Sequence, residues 1–248
     1  MPHNLWNILG VLIFIIGFLL GMVFIGLTVW SDLEGNAFWG ISEAATFDRQ
    51  VQIDAQLKSL TCPQLLTQQE AGTVIARLAN PLNQPVDVII QADFSRPTAS
   101  IEALQDQQQF QLKPLERRDL SWIVGMENLK FNRLILVRTY LIDPVLRIPV
   151  RTAHCGILVV DSNELSSNQI ILISVITSLS GMLIGILLWV LGKLPLKNRR
   201  STYSMLALAG LTLAGIIASL TGVWVVAGGF FIMNLIILLT LFENVSQN

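Results

Sequence analysis

The chain has 248 residues, of which 52% are hydrophobic and 13% charged; a soluble domain carries about 25% charge, so this composition argues against an ordinary soluble globule and for extensive contact with lipid. A formal net charge of −1 offers no concentrated basic face with which to displace counterions from phosphates, which excludes nucleic acid as an expected partner. Charge is also unevenly placed: sixteen of the seventeen acidic residues and twelve of the sixteen basic ones lie between Asp32 and Glu164.

From Leu5 to Trp30 there is no charged side chain. At about 1.5 Å per residue such a run exceeds a hydrocarbon layer of roughly 30 Å. It is longer than the core of a cleaved signal peptide and has no small-residue cleavage site at its end, so a retained signal anchor is expected at 5–30. Residues 31–48 follow as a juxtamembrane linker. Within them Phe38, Ile41 and Ala45 stand at helical spacing, which fits an interfacial helix on the outer leaflet as well as an irregular linker.

Residues 49–165 change period from helical to two. Val74, Ala76 and Leu78 alternate with Thr73, Ile75 and Arg77; Val86, Val88 and Ile90 with Asp87, Ile89 and Gln91; Leu120, Trp122 and Val124 with Asp119, Ser121 and Ile123. Such alternation marks half-buried strands. Further strands are expected at Gln109 to Leu112, Leu134 to Tyr140, Leu146 to Val150 and Cys155 to Val160, with turns at Asn80-Pro81, Asn83-Gln84-Pro85, Ser95-Arg96-Pro97 and Lys113-Pro114. About seven short strands in a hundred residues suggest an immunoglobulin-like sandwich.

Three more apolar runs come after the polar region, at 170–191, 203–220 and 223–242, the last two parted only by Thr221-Gly222. So short a turn predicts a helical hairpin, because backbone groups in lipid need internal partners. The loop 192–204 holds Lys193, Lys197, Arg199 and Arg200 with no acid, and short basic loops stay cytoplasmic. The chain is then expected in the cell membrane with both termini cytoplasmic and 31–168 extracytoplasmic. The expected fold is therefore membrane α + β: four transmembrane helices with an extracytoplasmic β-sandwich inserted between the first and second.

Cys62 and Cys155 are the only cysteines, and both fall on the side assigned as oxidising, so a structural disulfide is expected. A redox pair would more commonly take Cys-x-x-Cys spacing. His154 beside Cys155 falls short of the four ligands of a structural zinc site and reads as a surface or strand-edge histidine. Without Gly-x-Ser-x-Gly, His-Glu-x-x-His, Walker or Rossmann patterns, no catalytic residue, cofactor or metal is expected.

The apolar runs contain no ionisable side chain in their interiors, although such groups are the usual mark of ion pathways. They do contain small residues at packing intervals: Gly17 and Gly21, Gly181 and Gly185, and the row Gly210, Ala214, Ala218 and Gly222. Such rows let backbones approach where lipid gives no hydrophobic drive. The third row reads as packing within the chain's own bundle, while the first two fit internal packing and docking to other subunits equally. Asn234, mid-span, should face a partner on another helix or on a neighbouring subunit. These features point to a non-catalytic scaffolding, assembly or partner-binding subunit, with lipid and other membrane subunits as partners. A channel or transporter component, with a path along Ser174, Thr177, Ser178 and Asn234, and a membrane-anchored enzyme at the outer surface are the alternatives.

Overall fold

A computed structural model describes residues 3–40, 55–97, 103–142, 149–192 and 199–246. The chain divides into two compact units: Met1–Val29 with Asn168–Asn248, and Trp30–Ser167.

The first unit is helical. It takes the first part of α1 (His3–Trp39), then α2 (Ser167–Gly192), α3 (Arg199–Leu220) and α4 (Trp224–Ser246). Three helices, over Trp6–Trp39, Ser167–Gly192 and Thr202–Leu220, are long and apolar enough to cross a membrane. The 23-residue α4 is likewise apolar. These helices suggest membrane association. A core of Phe14, Phe18, Met22, Met182, Met205 and Leu208 fills the bundle, and Ile25, Ile216, Ala218 and Ala227 form a second buried cluster.

Gly222, at φ +74°, ends α3. Its amide bonds to the Ser219 carbonyl, and the Val223 amide reaches back to Ala218 at 3.0 Å. That double bond with a left-handed glycine is a Schellman stop, so α3 and α4 form the hairpin that the short turn predicts.

The second unit is a β sandwich. Its strands are β1 (Gln56–Thr61), β2 (Leu65–Thr67), β3 (Gly72–Ala79), β4 (Val86–Phe94), β5 (Leu104–Leu112), β6 (Arg117–Val124), β7 (Leu129–Lys130), β8 (Leu134–Ile142) and β9 (Pro149–Val160). One sheet has the order β1-β3-β6 and the other β2-β9-β8-β4-β5, with β7 added to β8. All pairings are antiparallel except β2 with β9. Val74, Ala76 and Leu78 from one sheet meet Val88, Ile90, Val137 and Ile157 from the other in a single core. Alternating burial along β3 matches the period-two pattern of its sequence.

Among the described residues the sandwich has nine strands where about seven were expected. The expected strand at Cys155 to Val160 is part of the 12-residue β9, which begins at Pro149; of the one expected at Leu146 to Val150, residues 146–148 lie outside the described residues. β5 begins at Leu104, five residues before its expected start at Gln109.

The helix that holds the apolar run 5–30 extends past Trp30. α1 continues without a break to Trp39: residues 31–39 contain no proline, and Gly40, at φ +80°, follows its end. The possible interfacial helix at 36–47 lies largely outside the described residues. Phe38 and Trp39 belong to α1 and pack on Leu134, Leu136 and Leu158 of the β8-β9 face.

Candidate functional site

Beyond Trp30 the polar side of α1 lies on the outer face of β9, and glycine makes that approach possible. A Cβ on Gly156 would stand 1.8 Å from the Ser31 carbonyl oxygen, and one on Gly35 would stand 3.1 Å from backbone atoms of Cys155. The Gly156 amide donates to Asp32 Oδ1 at 3.1 Å. Burial outweighs that bond and raises the Asp32 carboxyl to about 6.

The same sheet face carries a row of ionisable groups, because Asp93, Arg138 and His154 are register partners across β4, β8 and β9. Asp93 is fully buried. Its Oδ2 accepts from Arg138 Nε at 3.0 Å and its Oδ1 from Gln91 Nε2 at 2.8 Å, so both oxygens serve as a fixed counter-ion. The Arg138 guanidinium stacks between Trp39, at 4.7 Å, and Tyr140, at 5.1 Å. His154 sits beside it. Burial and the Arg138 charge lower the imidazole to about 4, so it is neutral at physiological pH. His154 Nδ1 and Trp39 Nε1 are buried without a hydrogen-bond partner among the described residues. Further along, Lys130 Nζ lies 5.5 Å from the Phe38 ring centre and Arg133 stacks on Trp30 at 4.9 Å.

Other acids of the domain are similarly engaged. Glu70 accepts from the Ser167 and Thr67 amides, Asp119 pairs with Arg77, and Asp106 Oδ2 accepts from Trp122 Nε1 at 2.6 Å. Cys62 and Cys155 are joined in a disulfide, which suggests an extracytoplasmic setting. Among the described residues no group of three or more His, Cys, Asp and Glu comes together in an arrangement that could hold a metal ion.

In the helical unit Gly17 and Gly181 face each other. A Cβ on Gly17 would meet the Met182 amide nitrogen at 2.7 Å, and one on Gly181 would meet Gly17 Cα at 3.0 Å. Ser178 Oγ donates to the Gly17 carbonyl at 2.8 Å. Gly185 packs on Phe14 and Gly10, and Gly21 on Thr212 and Ser178. The first two small-residue pairs therefore serve the chain's own packing. Gly10 extends the contact, one heptad before Gly17, and its place seven residues back was the signal that sequence reading missed.

The third row is different. Nothing lies within 4 Å of a Cβ on Gly210, and Ala218 is buried. Gly215, facing Ile25 and Phe230, is the close-contact glycine of α3. Asn234 is fully buried but bonds within its own helix, Nδ2 donating to the Phe230 carbonyl at 3.0 Å, while Oδ1 has no partner among the described residues. A short amide at that depth satisfies its donor on the preceding turn rather than across helices. Thr177 is exposed and Ser178 is buried on α1, so these two do not line one path. Lys193 and Lys197 lie outside the described residues, and Arg199 and Arg200 stand in the first turn of α3.

No family model and no curated protein matches the chain. Among solved structures it aligns with the CARDB domain of a Pyrococcus furiosus protein in complex with di-metal ions, at 10% identity and a TM-score of 0.35, over 44% of this chain and 94% of that one. A β-glucosidase from Listeria innocua aligns at 16% identity and a TM-score of 0.34, over 45% of this chain and 16% of the enzyme. A Pseudomonas fluorescens alkylpurine DNA glycosylase aligns at 8% identity and a TM-score of 0.32, over 43% of this chain and 30% of the glycosylase. Likeness at this level assigns neither activity nor ligand.

Proposed function

We propose that this protein is a non-catalytic assembly subunit of a membrane complex. Four helices span the membrane with both termini cytoplasmic, and an immunoglobulin-like sandwich within residues 31–168 stands outside as a contact surface for other subunits. The reading is carried by one contrast in the β domain. Its buried carboxylates are spent on structural bonds, Asp93 on Arg138 and Gln91 and Asp32 on Gly156, whereas the nine-residue strand β5 ends its sheet with an open edge among the described residues. Open edges recruit strands from other chains.

The test is purification of the full chain from native membranes in mild detergent, followed by mass spectrometry. The wild type should bring a reproducible, near-stoichiometric set of other membrane proteins, and Gln107→Lys with Gln109→Lys on the β5 edge should lose them. A wild-type chain that purifies without other subunits overturns the proposal.

A further inference from the structure

Strands at sheet edges leave backbone groups unpaired, and proteins guard them with charge, proline, bulges or shortness. Among the described strands, three of the four sandwich edges have such guards. β1 carries Lys58 and an irregular register between Leu57 and Ser59, β2 has three residues, and β6 opens on Arg117, Arg118 and Asp119. β5 is nine residues long with no proline or basic residue, and it pairs with β4 in unbroken register from Leu104 to Leu112. Its one charge, Asp106, is turned onto Trp122 Nε1 and Gln108 Nε2.

The occupant of this edge can be read from β5 itself. Its sequence, Leu-Gln-Asp-Gln-Gln-Gln-Phe-Gln-Leu, is the same in both directions about Gln108, except that Asp106 stands where its mirror position has Phe110. We propose that β5 of a second copy of this chain pairs antiparallel with this strand about a twofold axis at Gln108, joining two six-stranded sheets into one. The inference rests on reading the β5 edge as a contact surface.

In that register Gln107 meets Gln109 and Gln105 meets Gln111 on the exposed face. A carboxamide both donates and accepts, so each glutamine pair is self-complementary. On the other side Leu104 meets Leu112 and Asp106 meets Phe110 of the second copy. Arg118 stacks on Phe110 at 4.7 Å, so an acid of each copy approaches a cation of the other, twice per interface. An in-register parallel pairing would instead set Asp106 against Asp106. Such self-complementarity is what an isologous twofold interface requires, and an unrelated strand would have no use for the palindrome.

The test uses Gln108→Cys in the full chain in its native membrane. Cys62 and Cys155 are bonded to each other, so the new thiol is the free one. Opposed residues of an antiparallel pair have Cα atoms about 4.5–5.5 Å apart, within disulfide reach. Mild oxidation with copper phenanthroline should convert most of the chain into a dimer. Gln105→Cys and Gln111→Cys should cross-link poorly alone and well when coexpressed on differently tagged copies. Adding Gln107→Lys with Gln109→Lys should lower the Gln108→Cys yield at least tenfold without moving the thermal midpoint, since both side chains are exposed. No cross-link in a folded Gln108→Cys chain, or equal yields from Gln105→Cys and Gln108→Cys alone, overturns the proposal. Companion proteins lost on edge charging without any Gln108 cross-link would keep the contact-surface reading and remove the second copy. Register-specific cross-links with no companion protein would keep the second copy and remove the multi-subunit reading.

Discussion

Asp32 and His154 both stand against β9 and pull stability in opposite directions as pH changes. Asp32 is raised from 3.8 to about 6 by burial, so its favourable contribution is full below 3.8 and lost as pH rises through 6. His154 is lowered from 6.5 to about 4, so its contribution is full above 6.5 and lost as pH falls through 4. Asp32→Asn keeps an oxygen for the Gly156 amide and removes the buried charge. It should raise stability at pH 7, by about 3 kcal/mol at most, and the thermal midpoint should then rise more steeply with pH between 4 and 6.5, where the contribution of His154 stands alone. His154→Gln should leave the opposite slope. The Asp93–Arg138 pair allows a second measurement, because Asp93 is fully buried and its counter-ion is one guanidinium. Arg138→Leu should cost about 3–5 kcal/mol by stranding that carboxylate. The double substitution Asp93→Leu with Arg138→Leu should recover most of the loss in denaturant titration.

At the scale of elements, glycines differ in what a methyl would meet, from another backbone to open space. Gly156→Ala would place a methyl 1.8 Å from the Ser31 carbonyl oxygen and Gly181→Ala one 3.0 Å from Gly17 Cα; both should lower the thermal midpoint. Gly210→Ala meets open space and should be neutral or gain up to about 1 kcal/mol from helix propensity. This contrast also marks what the sequence made legible. Spacing identified Gly17, Gly21, Gly181 and Gly185 because close helix contacts leave a period. The same logic misled at Gly210, since a period does not say which face of a helix is covered. Strands β3, β4 and β6 were legible because one face is apolar and the other polar. β5 was legible only at its end, because glutamine on both faces hides alternation from Gln105 to Gln109. The apolar run ends at Trp30 while the helix continues, because the change to polar residues marks a change of surroundings, with residues beyond Trp30 lying on the outer face of β9.

For the whole molecule the proposed orientation rests on two independent observations. One is the acid-free basic run Lys193, Lys197, Arg199 and Arg200, which follows α2 and enters the first turn of α3; short basic loops favour the cytoplasmic side. The other is the Cys62–Cys155 bond of the β domain, which persists in oxidising compartments. Because both native cysteines are bonded, a cysteine introduced elsewhere reports its own side of the membrane. Gln68 is exposed at the end of the short β2 strand. Gln68→Cys should react within minutes with a membrane-impermeant maleimide added to intact cells, whereas Lys197→Cys should react only after permeabilisation. The reverse pattern would place the disulfide on the reducing side and the basic loop outside, and would overturn the orientation. Labelling of both in intact cells would mean that α2 fails to cross, since it alone separates the β domain from the basic loop.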